Sequence, residues 1–223
     1  MLLTFSCVCA DGSGSVARKH LDYSDYDTAI CVQCKCSLPE GLDPKYLYLD
    51  IIGEGYVWTF IKKDCANVGL GLPRNSCSPE FITTYLNEYM TRLGAKPLNK
   101  IMSAPVAISG PLKSFSIGKL VVVGEAAGCV MPLSGEGIRF SIYGGSIAYK
   151  PNYRTEFMKK YGKNMQTSRK LFELVRNLKD NERIDFLKCL DDPLDVLEGK
   201  WPKIGDLFFK PRLIIKLMHK YLS

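Results

Sequence analysis

The chain has 223 residues, of which 46% are hydrophobic, and a formal net charge of +7 at neutral pH. That length and apolar content are enough for a substantial core, so one large or two small folded domains are expected rather than a disordered chain. No run approaches the roughly 20 apolar residues of a membrane-crossing helix, and residues 1–12 carry no basic group ahead of their apolar stretch, so a cytoplasmic location is expected.

In chain order, strands are predicted over 2–9, 28–38, 46–52, 56–62 and 67–72. Their β-branched and aromatic residues lie between Gly, Pro and Asp, the pattern of an antiparallel sheet. Ser78 caps a predicted helix with Pro79 and Glu80 in its first turn; it runs through Tyr85, Leu86 and Tyr89 and stops near Gly94. Residues 105–117 read as strand and turn, and Lys119 to Val123 as a buried strand entering a glycine-rich turn. From Tyr153 onward Phe157, Tyr161, Met165, Leu171, Leu174, Val175 and Leu178 recur at helical spacing, until Asp191-Asp192-Pro193 and Trp201-Pro202 interrupt the pattern.

The charge is uneven: residues 1–149 hold 13 basic and 13 acidic side chains, residues 150–223 hold 17 and 10. This excess reads as solvated helix faces, and no nucleic-acid partner is expected. In the tail, Leu213, Ile214, Leu217, Met218 and Tyr221 form an apolar face and Arg212, Lys216, His219 and Lys220 a basic one. Such a helix docks on its own domain or lies at the periphery of an anionic membrane.

Nine cysteines in a chain without an export signal are expected to be reduced thiols. Cys31, Cys34 and Cys36 suggest zinc by spacing, but residues 29–38 alternate like a strand. That puts Cys31 on one face and Cys34 with Cys36 on the other, and no second ligand pair stands near. They read as buried thiols, with no metal site. His20 and His219 belong to no nucleophile or metal constellation and read as surface residues, so no catalytic side chain is assigned.

Three segments carry chemistry. In the first, residues 119–142, a strand ends at Gly124-Glu125, passes small residues and Pro132, and reaches Gly135-Glu136-Gly137-Ile138 with a helix expected from near Gly135. A carboxylate at a strand tip can accept hydrogen bonds from sugar or ribityl hydroxyls, and glycines let backbone approach a planar ring. The helix start would aim N–H groups and its positive dipole end at a negative charge. The second is Ala10-Asp11-Gly12 with Ser15 and Arg18, whose plain reading is a tight turn after a strand. The third is Gly55-Tyr56-Val57-Trp58-Thr59-Phe60 followed by Gly69-Leu70-Gly71. On a strand Tyr56, Trp58 and Phe60 share one face, an aromatic wall able to hold a long alkene chain or to pack a core.

Taken together and in this order, the three resemble segments of the geranylgeranyl reductase family, flavoproteins built like p-hydroxybenzoate hydroxylase. The resemblance implies that Glu125 binds the ribityl chain of FAD, standing where the family usually has Asp and so one methylene further out. It implies that Gly137 and Ile138 offer backbone to the isoalloxazine, with Gly124, Gly135, Asp11 and Gly12 completing the flavin side. Tyr56, Trp58, Phe60, Gly69 and Gly71 would line an isoprenoid cavity, with Ile61 where the family has proline. The implied reaction is saturation of carbon–carbon double bonds on geranylgeranyl chains in membrane-lipid biosynthesis, with reduced ferredoxin or a nicotinamide cofactor as electron donor.

The expected architecture is α/β (α+β): a partial p-hydroxybenzoate hydroxylase-like FAD-binding fold, an antiparallel substrate-side sheet and a C-terminal helical region. Residues 1–27 and 105–150 are assigned to the FAD-binding part, 28–104 to the substrate domain and 151–223 to the helical region. No strand followed by G-x-G-x-x-G occurs, so the pyrophosphate half of FAD is expected to sit on a separate N-terminal half. A non-catalytic isoprenoid-binding remnant and a flavin monooxygenase remain open alternatives.

Overall fold

The computed structural model describes residues 6–21, 26–188, 198 and 200. In chain order its elements are β1 (Cys7–Cys9), α1 (Val16–Lys19), β2 (Thr28–Cys36), β3 (Leu47–Ile52), β4 (Gly55–Ile61), β5 (Ala66–Pro73), α2 (Pro79–Arg92), β6 (Met102–Ala107), β7 (Ser116–Ile117), β8 (Leu120–Val122), α3 (Ile138–Ile147), α4 (Tyr153–Arg176) and α5 (Asp180–Lys188). The architecture is mixed α/β. It divides into two units, Asp27–Val106, and residues 1–26 with 107–223. The predicted amphipathic tail, His219 and the breaks at 191–193 and 201–202 lie outside the described residues, as do the first residues of the predicted strand 2–9.

The Asp27–Val106 unit is built on a sheet of order β3-β4-β5-β2-β6, in which the four strands from β3 to β2 pair antiparallel. Helix α2 covers one face. Ser78 Oγ accepts from Phe81 N at 3.1 Å, Pro79 occupies the first helical position and Glu80 the first turn, so local chemistry alone sets this start. Its buried stripe of Ile82, Leu86, Tyr89 and Met90 packs on Val32, Cys34, Cys36, Val57, Val68, Leu70 and Leu72. The cysteine alternation is as expected: Cys34 and Cys36 are buried on the α2 side and Cys31 stands opposite, half-buried. Burial first, then Cys34, pushes the Cys36 thiol up to about 12, so it stays protonated. No cluster of metal-ligating side chains occurs among the described residues.

In the other unit, β8 lies between β1, parallel to it, and β7, antiparallel to it. The core joins Phe115, Val122, Ala126, Ala127, Cys129, Met131 and Phe140 to Tyr153, Phe157 and Met165 of α4. Aromatic rings lock this packing, with Phe115–Tyr153 and Phe140–Tyr161 centroids each 5.0 Å apart. The helical spacing read from Tyr153 onward corresponds to α4, whose buried side includes Tyr153, Phe157, Met165, Leu171 and Leu174. No helix among the described residues is long and apolar enough to cross a membrane.

Two boundaries in the glycine-rich segment differ from expectation. The strand after Lys119 ends at Val122, because the chain turns at Gly124 into a single 3-10 turn, Gly124–Ala127. The helix expected from near Gly135 begins at Ile138. Gly135, at φ +69°, belongs to a tight turn in which its N–H donates to Met131 O at 2.9 Å and Met131 N–H donates to Glu136 O at 2.8 Å. Gly137 is left as the cap.

Candidate functional site

On β4, Val57 and Thr59 are buried while Tyr56, Trp58 and Phe60 stand half-buried on the opposite face. Neighbouring ring centroids are 5.9 Å and 6.2 Å apart, so the three side chains form one continuous surface. The register places Tyr56 beside Gly71, Trp58 beside Gly69 and Phe60 beside Asn67. A Cβ on Gly69 would lie 2.1 Å from Trp58 Cζ2, and one on Gly55 1.9 Å from Gly71 O. Gly69 and Gly71 are therefore the space into which the indole lies across β5.

Polar contacts fix that indole. Trp58 Nε1 donates to Asn67 Oδ1 at 2.8 Å, and Asn67 Nδ2 donates to Gln33 Oε1 at 3.2 Å. On β3, Leu47, Leu49 and Ile51 stand directly across from Phe60, Trp58 and Tyr56 and extend the apolar surface, with exposures of 66%, 36% and 39%. Burial, and secondarily Cys31, pushes the Tyr56 hydroxyl up to about 12, so it is a neutral phenol at neutral pH. At Ile61, where the family has proline, β4 continues pairing with Ala66. Asn67 and Gln33 went unassigned in the sequence reading, although strand alternation places Asn67 on the face of Gly69 and Gly71.

In the other unit, Glu125 lies in the 3-10 turn after β8, and its Oε1 accepts from Ala107 N at 2.8 Å. Its Oε2 takes no part in that bond. Gly124 packs closely on α3, where an added Cβ would sit 2.8 Å from Ser141 Oγ. Gly137 supplies no side-chain cap to α3, and Ile138 is 78% exposed, so the first N–H groups of this ten-residue helix stand open. Arg139 folds back on Glu136, with Nη2 to Oε2 at 3.0 Å, and keeps the segment's other acid paired. The turn is held from α4, where Ser168 Oγ accepts from Leu133 N at 3.1 Å.

Asp11 is placed differently from Glu125. Its Oδ2 accepts from Val16 N at 2.8 Å and from Ala17 N at 3.4 Å, while Ser15 Oγ accepts from Arg18 N at 2.9 Å, so both side chains cap α1. Burial works to raise the Asp11 pKa, but hydrogen bonds from Ser15 and from the Ala17, Asp11 and Val16 backbone outweigh it and hold the carboxyl below its ordinary value. A lowered native pKa contributes stability that is present above the unfolded value and lost as pH falls through the native one. Asp11→Ala is thus expected to cost about 1 kcal/mol at neutral pH. Urea midpoints of the two proteins should converge below the carboxylate range; equal midpoints at neutral pH would exclude the cap.

The residues around Asp11 hold contacts that the sequence reading did not find. Arg18 is buried, with its guanidinium 4.2 Å from the Tyr26 ring centroid, and it donates to Ser13 O. Tyr26 OH donates to Gly110 O, and burial raises this phenol well above its ordinary value. Gly128, at φ +71°, fits beneath them: its Cβ would lie 2.0 Å from Tyr26 OH and 2.2 Å from Gly110 O. His20 lies exposed at the end of α1, as expected.

Residues 27–108, which include the whole sheet unit, match the family model described as geranylgeranyl reductase catalytic domain. The digeranylgeranylglycerophospholipid reductase 2 of Methanothermobacter thermautotrophicus is 33% identical over 218 residues, covering 86% of this chain and 54% of that protein. The digeranylgeranylglycerophospholipid reductase of Methanococcus aeolicus is 30% identical, covering 74% and 49%. The chain spans about half the length of the curated relatives it matches. Among solved structures, a geranylgeranyl bacteriochlorophyll reductase-like protein from Thermoplasma acidophilum shares the fold with a TM-score of 0.71 at 19% identity, over 97% of this chain and 59% of that one. The flavin-dependent halogenase CmlS shares it with a TM-score of 0.57 at 17% identity, over 95% and 48%. The aromatic segment laid over its glycines and the Gly-Glu-Ala-Ala-Gly turn are thus carried by a chain that belongs to the geranylgeranyl reductase family.

Proposed function

We propose that this chain forms the prenyl-binding and flavin-contacting part of an FAD-dependent reductase that saturates carbon–carbon double bonds of geranylgeranyl chains in membrane-lipid biosynthesis. The observation that carries the reading is the Tyr56–Trp58–Phe60 surface, seated on Gly69 and Gly71 and widened by Leu47, Leu49 and Ile51. An unbranched run of apolar rings suits a long alkene, which offers no polar group to recognise.

The residues present fit the isoalloxazine and ribityl end of FAD. The open N-terminus of α3 supplies backbone donors from Ile138 onward, Glu125 keeps one carboxylate oxygen for a ribityl hydroxyl, and Gly135 and Gly137 present no side chain. When bound, FAD supplies the hydride. The chain's own contribution is to hold the alkene in an apolar setting, to favour negative charge at the α3 N-terminus and to keep Tyr56 protonated beside the wall. In this reading the pyrophosphate end of FAD is held by residues other than those of this sequence, and electrons arrive from reduced ferredoxin or a nicotinamide cofactor.

A second reading, isoprenoid-lipid binding without flavin, is favoured by the Ala107–Glu125 hydrogen bond, which already occupies one oxygen of the carboxylate. Titration with FAD separates the two. Quenched, red-shifted flavin fluorescence on adding protein, lost in Glu125→Ala, supports the reductase; no uptake with or without a supplied N-terminal half leaves lipid binding alone. Trp58→Ala is expected to weaken retention of geranylgeranyl lipid by at least about tenfold, ~1.4 kcal/mol, read by mass spectrometry of co-purified lipid; unchanged retention would sink both readings.

A further inference from the structure

Within the Asp27–Val106 unit, the sheet face that carries the aromatic wall changes character from strand to strand. β3 and β4 turn only apolar and aromatic side chains to it. Across β5 the pairing register puts Gln33 in line with Gly69 and Trp58, and Lys35 in line with Asn67 and Phe60. The wall is therefore apolar over β3 and β4 and polar where β2 meets it.

The hydrogen bonds along this row have a direction. Trp58 Nε1 donates to Asn67 Oδ1 at 2.8 Å, and Asn67 Nδ2 donates to Gln33 Oε1 at 3.2 Å. An indole nitrogen can only donate, so the Asn67 amide must turn its oxygen to the ring and its nitrogen to Gln33. Gln33 must then turn its oxygen to Asn67, and its Nε2 ends the row with two N–H donors. Lys35, two residues further along β2, shares the face and adds three donors and a positive charge. An alkene laid over these groups would strip water from them and offer no acceptor in return. An oxyanion satisfies the amide and the ammonium together.

We propose that Gln33 and Lys35 receive the phosphate end group of a prenyl lipid whose chain lies on the aromatic wall, with Asn67 as the positioning residue that fixes both the indole and the Gln33 amide. The inference rests on the prenyl-binding reading and adds which end of the ligand lies where. Holding the phosphate at β2 sets the length of chain between it and Trp58, and so selects the part of the chain that crosses the indole. No bond forms or breaks at this site, and it does not depend on flavin.

The test is binding of geranylgeranyl phosphate and of geranylgeraniol, which share a chain and differ in the phosphate, read by quenching of Trp58 emission in the full chain carrying Trp201→Phe. Geranylgeranyl phosphate is expected to bind at least about tenfold more tightly, the usual effect of a charge-assisted hydrogen bond. Gln33→Glu keeps an acceptor for Asn67 Nδ2, so Trp58 emission without lipid should not move. It also puts negative charge where the donors were, and should abolish the preference for phosphate while geranylgeraniol binds as before. Lys35→Gln leaves the amide row intact and should lower the preference about two- to fivefold. Inorganic phosphate alone should leave the emission unchanged; a change as large as the lipid's would make this a free-phosphate site and overturn the proposal. Equal binding of the two lipids, or a preference that survives Gln33→Glu or is untouched by Lys35→Gln, would overturn it too and leave the prenyl reading standing. A chain that binds neither lipid would sink that reading and this inference with it.

Discussion

Gly69→Ala should destabilise the protein by about 1–3 kcal/mol, the usual cost of forcing an extra methyl into a packed site. The added Cβ would lie 2.1 Å from Cζ2 and 2.3 Å from Cε2 of Trp58, so the indole must lift off β5. Lifting it also breaks its hydrogen bond to Asn67 and opens the floor of the aromatic wall. Trp58 emission should shift to longer wavelength, read in a Trp201→Phe background that removes the chain's second indole. The sharper test is the cycle with Trp58→Ala. Once the ring is gone the methyl has room, and alanine in a strand interior is favoured over glycine by about 0.5–1 kcal/mol. Gly69→Ala should then be neutral or stabilising. A penalty that persists without the indole would show that Gly69 is required for another reason.

Gly128→Ala should cost more, about 2–5 kcal/mol, because two effects combine. A non-glycine residue in the left-handed region costs ~1–2 kcal/mol, and the clash here is with Gly110 O, a backbone atom, and with Tyr26 OH. Neither can rotate away, and Tyr26 is held by its bond to Gly110 O. Gly12→Ala is the matched control. Gly12 has nearly the same φ, +73°, but nothing within 4 Å of its Cβ position, so it should show the conformational part alone. Thermal or urea unfolding of the two variants checks this. Equal losses would mean that the crowding around Gly128 relaxes freely. If folded Gly128→Ala can be recovered, its flavin uptake should fall as well, because the turn carrying Glu125 closes through the Gly128 N–H bond to Glu125 O at 2.9 Å.

Much of the sheet unit was legible because its signals are local. Ser78-Pro79-Glu80 starts α2 by capping chemistry confined to one turn, and the period-two alternation of Tyr56, Trp58 and Phe60 sets their common face whatever they pack on. The same alternation separated Cys31 from Cys34 and Cys36. The glycine-rich turn was legible as a motif but not as geometry. Four glycines and a proline leave the helix start open to several turns, and only the paired bonds of Met131 with Gly135 and Glu136 move it to Ile138.

Asp11 shows the same limit from another side. A short motif placed it with the flavin residues; the structure adds that its Oδ2 accepts from the α1 backbone, a partnership that a strand–turn–helix of this length makes available to any aspartate at that position.

From the sequence alone came the family, the α/β class, the common face of the aromatic residues, and the identity of Glu125 and of the glycines that serve the candidate sites, because each depends on residue type and near-neighbour spacing. Tertiary structure decided why those glycines must be glycines. Gly69 makes room for an indole on the next strand, and Gly128 for a tyrosine whose hydrogen-bond partner is 84 residues further along the chain. It also decided that Glu125 is anchored through one oxygen by Ala107. Burial and close approach between distant segments depend on how the chain packs, and spacing along it carries no record of that.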